Sequence, residues 1–173
     1  EYNVHLFKCM FLIINFLSAN AAYAACNLNN TPNIDGLRLG ITVKELIKLH
    51  PTMEYKPDVN KREGRLVFPD NKAGELKSVA GFGHIATLDN VVYSYFVIYD
   101  DFDTPLKNLK NKLAKRYSLP DNGWQKSGKD RLKLRCGDIE LTISQDFGEG
   151  RATSGAGLFA KLLPIEKIAD SLR

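Results

Sequence analysis

The residues of this chain that could carry out catalysis are few and lie far apart in the sequence. His50 and His84 are the candidate general bases, and neither lies in a motif that contains a nucleophilic serine or cysteine. A base must reach its nucleophile through a hydrogen bond, so a hydrolytic site would have to be assembled in space from distant residues. We therefore expect a protein that is not an enzyme. A small hydrolase with such an assembled site is one alternative.

Motifs for cofactors and metals are equally weak. Residues 81–86 have the form G-x-G-x-x-A, but a predicted strand runs through them, whereas a dinucleotide site needs a strand before the motif and a helix after it. The acidic run at residues 100–103 offers oxygen ligands but lacks the spacing of a calcium loop. No pair of cysteines has the spacing of a zinc site. We expect no cofactor and no metal.

Residues 1–24 have the order of a secretory signal peptide. Lys8 precedes the apolar run at residues 11–17, and Ala22-Tyr23-Ala24 has the form that signal peptidase recognises. We predict cleavage after Ala24 and a periplasmic or secreted protein with one α+β domain over residues 25–173. The apolar run is shorter than the roughly 20 residues of a membrane-spanning helix, so no transmembrane segment is expected after cleavage.

Two cysteines, Cys26 and Cys136, remain after the predicted cleavage. An even number of cysteines in an oxidising compartment favours a disulfide bond. A bridge between them would close a loop of about 110 residues, which the chain-entropy model values at roughly 4–5 kcal/mol. We predict this disulfide. The alternative is a lipid anchor on Cys26, because lipoproteins carry a cysteine directly after the signal.

Basic residues are concentrated between positions 107 and 135. This segment holds ten Lys or Arg residues against Asp121 and Asp130, in a chain of net charge +4. Such asymmetry indicates a surface for an unknown protein or for an anionic envelope component. Nucleic acid is not expected for an exported domain whose basic residues do not alternate with aromatic ones. The candidate binding residues on the predicted helix are Lys107, Lys110, Lys112, Lys115 and Arg116.

Hairpins dominate the predicted secondary structure. Residues 79–88 and 91–99 form the arms of the first, around an Asp-Asn turn, and residues 132–143 form the second, in which Cys136 pairs with Ile139. The second arm of the first hairpin is apolar on both faces. Such a strand is predicted to be central or covered on both sides. The alternative is that its tyrosines share one partly open face, because a tyrosine hydroxyl favours a wet edge. They are further candidate binding residues: Tyr93, Tyr95 and Tyr99.

Helices are predicted at three places. Thr42 and Glu45 form a capping box for a short helix that Pro51 ends, a basic helix begins near Pro105, and a short helix covers residues 164–172. In the last helix Ile165, Ile168 and Leu172 are expected to face the core. With 44% hydrophobic residues the chain suits one ordinary domain. The predicted fold class is α+β: an antiparallel sheet built from hairpins, with two or three short helices packed on one face.

The segment Gly-Leu-Arg-Leu-Gly-Ile-Thr-Val-Lys-Glu-Leu at residues 36–46 resembles the opening of two kinds of small envelope domain. These are the outer-membrane assembly lipoproteins of the SmpA/OmlA type and the β-lactamase-inhibitor-like domains. The resemblance implies a helix that packs on an antiparallel sheet and a location in the envelope. It transfers no partner and no inhibited enzyme. The predicted function is an exported, non-enzymatic interaction or binding module. The other alternative is an inhibitor of a secreted or envelope enzyme.

Overall fold

The structure is a computed structural model of the 173-residue chain, and it describes residues 28, 32–59, 62–68, 81–99, 104–147 and 155–172. The predicted signal peptide, Cys26 and the acidic run at residues 100–103 lie outside the described residues.

One antiparallel sheet organises the described part of the chain. The strands are β1 (Glu54–Pro57), β2 (Glu63–Val67), β3 (Gly81–Leu88), β4 (Val91–Tyr99), β5 (Gln125–Lys126), β6 (Arg131–Cys136), β7 (Ile139–Phe147) and β8 (Gly155–Leu162). Their order in the sheet is β1-β2-β3-β4-β8-β7-β6-β5, so two four-stranded meanders meet where β4 pairs with β8. The helices are α1 (Val43–Leu49), α2 (Leu106–Tyr117) and α3 (Leu163–Ser171).

The predicted fold class is wrong, because the three short helices do not form a layer on one face. Leu46 of α1 and Leu109 of α2 belong to the large core on one side of the sheet, hereafter the α2 face. Ala169 of α3 instead packs with Leu88 and Tyr93 in a separate small cluster on the other side, hereafter the α3 face. The fold is therefore a sheet of eight described strands with short helices distributed over its two faces.

Helix α1 begins and ends where its sequence predicts. The Thr42 side chain accepts a hydrogen bond from the Glu45 amide at 3.2 Å, and the Glu45 carboxylate accepts one from the Thr42 amide at 3.1 Å. This reciprocal arrangement satisfies two amides that the helix leaves without partners. Because the amide of Val43 donates to Asn90 and that of Gly40 to Val92, the segment is also tied to the start of β4.

Both predicted hairpins are confirmed over the described residues. Asp89 and Asn90 have φ values of 49° and 64°, which is the left-handed conformation of a two-residue hairpin turn. The β6–β7 register pairs Cys136 with Ile139 and Leu134 with Leu141, as the alternating pattern predicts. Strands β1 and β5 lie at the two edges of the sheet and were not predicted, because neither has an apolar alternation.

Candidate binding surfaces

Helix α2 is fixed to the sheet by one apolar stripe. Leu109, Leu113 and Tyr117 recur at helical spacing and are buried against the core below β6 and β7. The side-chain amide of Gln145 on β7 also donates a hydrogen bond of 2.6 Å to the Thr104 carbonyl, just before the helix. Because this stripe faces the sheet, the remaining side of α2 faces solvent.

Four of the five basic residues predicted on α2 lie on its exposed side: Lys107, Lys112, Lys115 and Arg116. Lys110 differs from them, since its side chain is only 14% exposed and its Nζ lies 3.4 Å from the Asp121 carbonyl and 4.0 Å from the Asp121 carboxylate. We therefore correct the prediction for Lys110, whose ammonium group is held by the loop after the helix.

The basic surface continues from α2 to the neighbouring edge of the sheet. Lys126 on edge strand β5 and Lys129 in the following turn are both exposed. Helix α2 packs on β6, and β6 pairs with β5, so these lysines lie at the sheet edge beside the helix. We define the basic surface as the six exposed residues Lys107, Lys112, Lys115, Arg116, Lys126 and Lys129.

The three tyrosines predicted to bind a partner are buried. Tyr95 is 0% exposed and donates a hydrogen bond of 2.9 Å to the Pro32 carbonyl. The Tyr99 hydroxyl donates to that of Tyr117 at 3.0 Å, which links β4 to α2. Because these hydroxyls have internal partners, burial does not leave them unsatisfied. The alternative of a partly open tyrosine face is therefore wrong.

The tyrosines also do not share a face. The register shifts where Ala86 pairs with Ser94 and Thr87 pairs with Val92, so β4 contains one extra residue, Tyr93. This bulge places Tyr93 in the small cluster under α3, whereas Tyr95 and Tyr99 belong to the large core. A bulge reverses the alternation of a strand, and the sequence pattern alone did not reveal it.

The α3 face carries a group of aromatic side chains that was not predicted from the sequence. His84, Phe96 and Phe159 are successive cross-strand partners on β3, β4 and β8, and directly opposite residues share a face. The His84 and Phe159 ring centroids lie 5.8 Å apart, and both phenylalanine side chains are half-buried. We call these three residues the aromatic patch. The alternation of Phe159 and Lys161 with the apolar residues Leu158 and Ala160 in β8 is the signal that could have revealed it.

Charged side chains beside the aromatic patch form a network that includes α3. Glu140 is the cross-strand partner of Arg135, and its Oε1 lies 3.2 Å from Lys133 Nζ and 3.3 Å from Lys161 Nζ. Lys161 also contacts Glu166 of α3 at 2.9 Å. Burial by itself would lower the pKa of Lys161, but the Glu166 hydrogen bond and the Glu140 charge raise it above its usual value. The network thus connects α3 to the sheet.

The geometry at the two histidines bears on the hydrolase alternative. His84 Nε2 lies 3.3 Å from the Ser94 hydroxyl, so the fold does bring a histidine to a possible nucleophile. The positive charge of Arg65 lowers the pKa of this ring. It therefore disfavours the imidazolium ion that a histidine forms when it acts as a general base. His50 is buried, and its Nε2 lies 2.8 Å from the Asp35 carbonyl. We interpret both contacts as structural.

Protonation of His84 is expected to destabilise the folded protein. His84 stays partly exposed, and the partial loss of water around its ring lowers the pKa of His84, which the positive charge of Arg65 lowers further. The unfolded chain therefore binds a proton near pH 6.5 that the folded chain does not yet bind. Stability is full above about pH 6.5 and falls as the pH drops from there to the lower folded pKa.

An NMR titration of the His84 ring, together with thermal unfolding of wild type and His84→Gln at about pH 5 and pH 7.5, measures this effect. We expect the wild type to lose more stability than the variant on acidification. A titration of His84 at or above about 6.5 would contradict the assignment.

Cys136, at the end of β6, is buried. Cys9 and Cys26 both lie outside the described residues, so the specific pairing of Cys26 with Cys136 stays a prediction. Within the described ranges no group of three or more His, Cys, Asp or Glu residues is arranged to hold a metal ion. No helix in the same ranges combines the length and the apolar character that crossing a membrane requires.

No protein-family model matches this chain, and no curated protein matches it. Among solved structures, the chain is similar to the crystal structure of a cysteine-rich secretory protein from Staphylococcus aureus, with a TM-score of 0.47 and 12% sequence identity. The similarity covers 83% of this chain and 49% of that one, so this chain spans about half the length of the protein it matches.

Proposed function

We propose that this protein is an exported, non-enzymatic binding module that associates with an anionic component of the cell envelope through its basic surface. The observation that supports this proposal is that six exposed cations lie on α2 and on the adjoining sheet edge around β5. Support for export comes from the signal-peptide pattern of residues 1–24 and from the pair of cysteines that remains after it.

The basic surface is suited to a broad anionic surface rather than to one small ligand. Its cations project from one exposed helix side and one sheet edge, and Lys110, which points instead to Asp121, is not among them. Each Lys or Arg near an anionic membrane contributes about 1 kcal/mol of attraction. Attraction of this kind is additive over several residues and is screened by salt, with a Debye length of about 10 Å at 0.1 M.

Co-sedimentation of the protein lacking residues 1–24 with vesicles tests the proposal. We expect it to sediment with vesicles that contain phosphatidylglycerol but not with vesicles of phosphatidylcholine alone. The bound fraction should fall at least about tenfold between low salt and roughly 0.5 M salt, because the Debye length shrinks below the reach of exposed side chains. Equal sedimentation with both vesicles, or binding that salt does not change, would contradict the proposal.

A second arm of the experiment distinguishes two sources of the same anionic chemistry. A soluble polymer of uronic acid is added to the protein without vesicles, and binding is followed by the intrinsic fluorescence of Trp124, which adjoins α2 and donates to the Pro120 carbonyl at 2.7 Å. Tighter binding to the polymer than to the vesicles would identify an acidic polysaccharide as the envelope component. Tighter binding to the vesicles would identify lipid headgroups.

A further inference from the structure

The α3 face carries an exposed arginine on each side of the aromatic patch. One cross-strand row runs from Arg65 on β2 through Ala86, Ser94, Lys161 and Glu140 to Arg135 on β6. Residues paired in this way share a face, so Arg65 and Arg135 lie at opposite ends of the same row. Both arginines are exposed. The row is five inter-strand steps long, or about 24 Å at ~4.8 Å per step.

Two acidic groups of this face lie between the two ends and are engaged by lysines, and a third, the buried Glu63, lies two residues from Arg65 on β2, opposite Leu88. Glu140 contacts Lys133 and Lys161, and Glu166 contacts Lys161. Their charges are therefore compensated locally. The exposed arginines at the two ends give the face a positive rim. Helix α3 covers the region near Leu88 and Tyr93, including Ala86 of the row, and does not include the aromatic patch in its cluster.

We propose that the α3 face is a docking surface for an extended acidic segment of a partner protein. An apolar centre with a charged rim is the usual anatomy of a protein–protein interface, in which aromatic residues and arginine are enriched. An extended chain rises about 3.3 Å per residue, so a segment of roughly seven residues spans the row. Carboxylates at its two ends would meet Arg65 and Arg135, and a large apolar side chain between them would meet Phe96 and Phe159.

The half-buried state of the two phenylalanines favours a protein segment over a nucleic acid. Successive bases bind by stacking on the exposed faces of aromatic rings. Phe96 and Phe159 are only partly exposed, and Phe159 already contacts the His84 ring and lies 5.9 Å from Lys161 Nζ. A side chain that inserts between partly exposed rings needs less ring surface than a stacked base does. This surface is separate from the basic surface on α2, so the inference does not depend on the proposed function.

Selection from a random-peptide display library on the immobilised protein tests the inference. We expect enriched peptides with acidic residues on both sides of a large apolar residue. The dissociation constant of a selected peptide should rise at least about tenfold in the double variant Arg65→Glu/Arg135→Glu, since a like charge replaces a complementary one at each end. Phe159→Ala should weaken the same peptide. If the Phe159 variant does not fold, the double arginine variant still tests the inference, because both arginines are exposed.

Matched controls separate this surface from the one on α2. The double variant Lys44→Glu/Lys48→Glu makes the same change of charge on exposed residues of α1 and should bind the peptide as the wild type does. In the complex, the peptide carboxylates should also raise the pKa of His84, which faces Arg65 and Lys161 on this side of the sheet. Peptides without acidic enrichment, or equal binding by the arginine variant, would overturn the inference. So would a single-stranded oligonucleotide that binds in a Phe159-dependent manner and displaces the peptide.

Discussion

Replacing Leu109 by alanine is expected to destabilise the protein by about 2–5 kcal/mol, because it removes three carbon atoms from a core site and leaves a cavity. Leu109 is 0% exposed and lies between Leu106 and Leu113 in the stripe that attaches α2 to the sheet. Urea unfolding, monitored by circular dichroism, measures this loss. The urea midpoint should fall, while the slope of the free energy of unfolding against urea concentration should not change.

Lys107→Ala on the same helix is the matched control. Its side chain is exposed, so the free energy of unfolding should change by less than about 0.5 kcal/mol. If the Leu109 variant lost no more stability than this control, α2 would not be held to the sheet as described. The basic surface would then have no fixed position relative to β5.

The parts of the fold that the sequence predicts well are those set by local patterns. The β6–β7 hairpin needs only a two-residue turn and an alternation that aligns Leu134 with Leu141, and both are visible in the sequence. The start of α1 needs only Thr42 and Glu45 at the right spacing. In each case one arrangement satisfies the side chains and the backbone together, which is why the prediction and the structure agree.

The parts that the sequence does not predict depend on which elements meet in space. In α3 the prediction that Ile168 and Leu172 face the core is wrong: they are 46% and 36% exposed. The helix instead buries Ala169, because it docks through a small residue and through the Glu166–Lys161 ion pair. A helical pattern predicts which residues of a helix lie on its apolar side, but it does not show which part of the fold that side contacts. Helix α3 contacts only a small cluster.

For the candidate binding residues too, the sequence predicts what depends on local patterns and does not predict what depends on contacts in space. The basic character of residues 107–135 follows from composition, but the contact of Lys110 with Asp121 depends on the path of the loop after α2. The aromatic patch depends on the pairing of β4 with β8, two strands whose facing residues Phe96 and Phe159 are far apart in the sequence. The alternation in β8 places Phe159 on the α3 face, but no short-range signal shows that Phe159 pairs with Phe96.

Reversing three charges of the basic surface is expected to abolish most of the association with anionic vesicles. The triple variant Lys107→Glu/Lys115→Glu/Arg116→Glu removes three attractive charges and adds three repulsive ones on the exposed side of α2. At about 1 kcal/mol for each lost cation, the affinity at low salt should fall by at least roughly 100-fold. None of the three side chains belongs to the buried stripe of α2, so the fold should persist.

A control variant with the same change of charge separates position from net charge. Lys44→Glu/Lys48→Glu/Lys167→Glu places the reversals on exposed residues of α1 and α3 instead. If only the net charge of the protein matters, both triple variants should lose affinity equally. If the basic surface is the binding site, the control should lose much less, because its charges lie on other elements.

Co-sedimentation of wild type, the α2 triple variant and the control variant with phosphatidylglycerol vesicles at low salt is the most direct test of the proposed function. We expect strong binding by the wild type, a loss of at least roughly 100-fold for the α2 variant and a much smaller loss for the control. Equal binding by the wild type and the α2 variant, with both shown to be folded by circular dichroism, would contradict it.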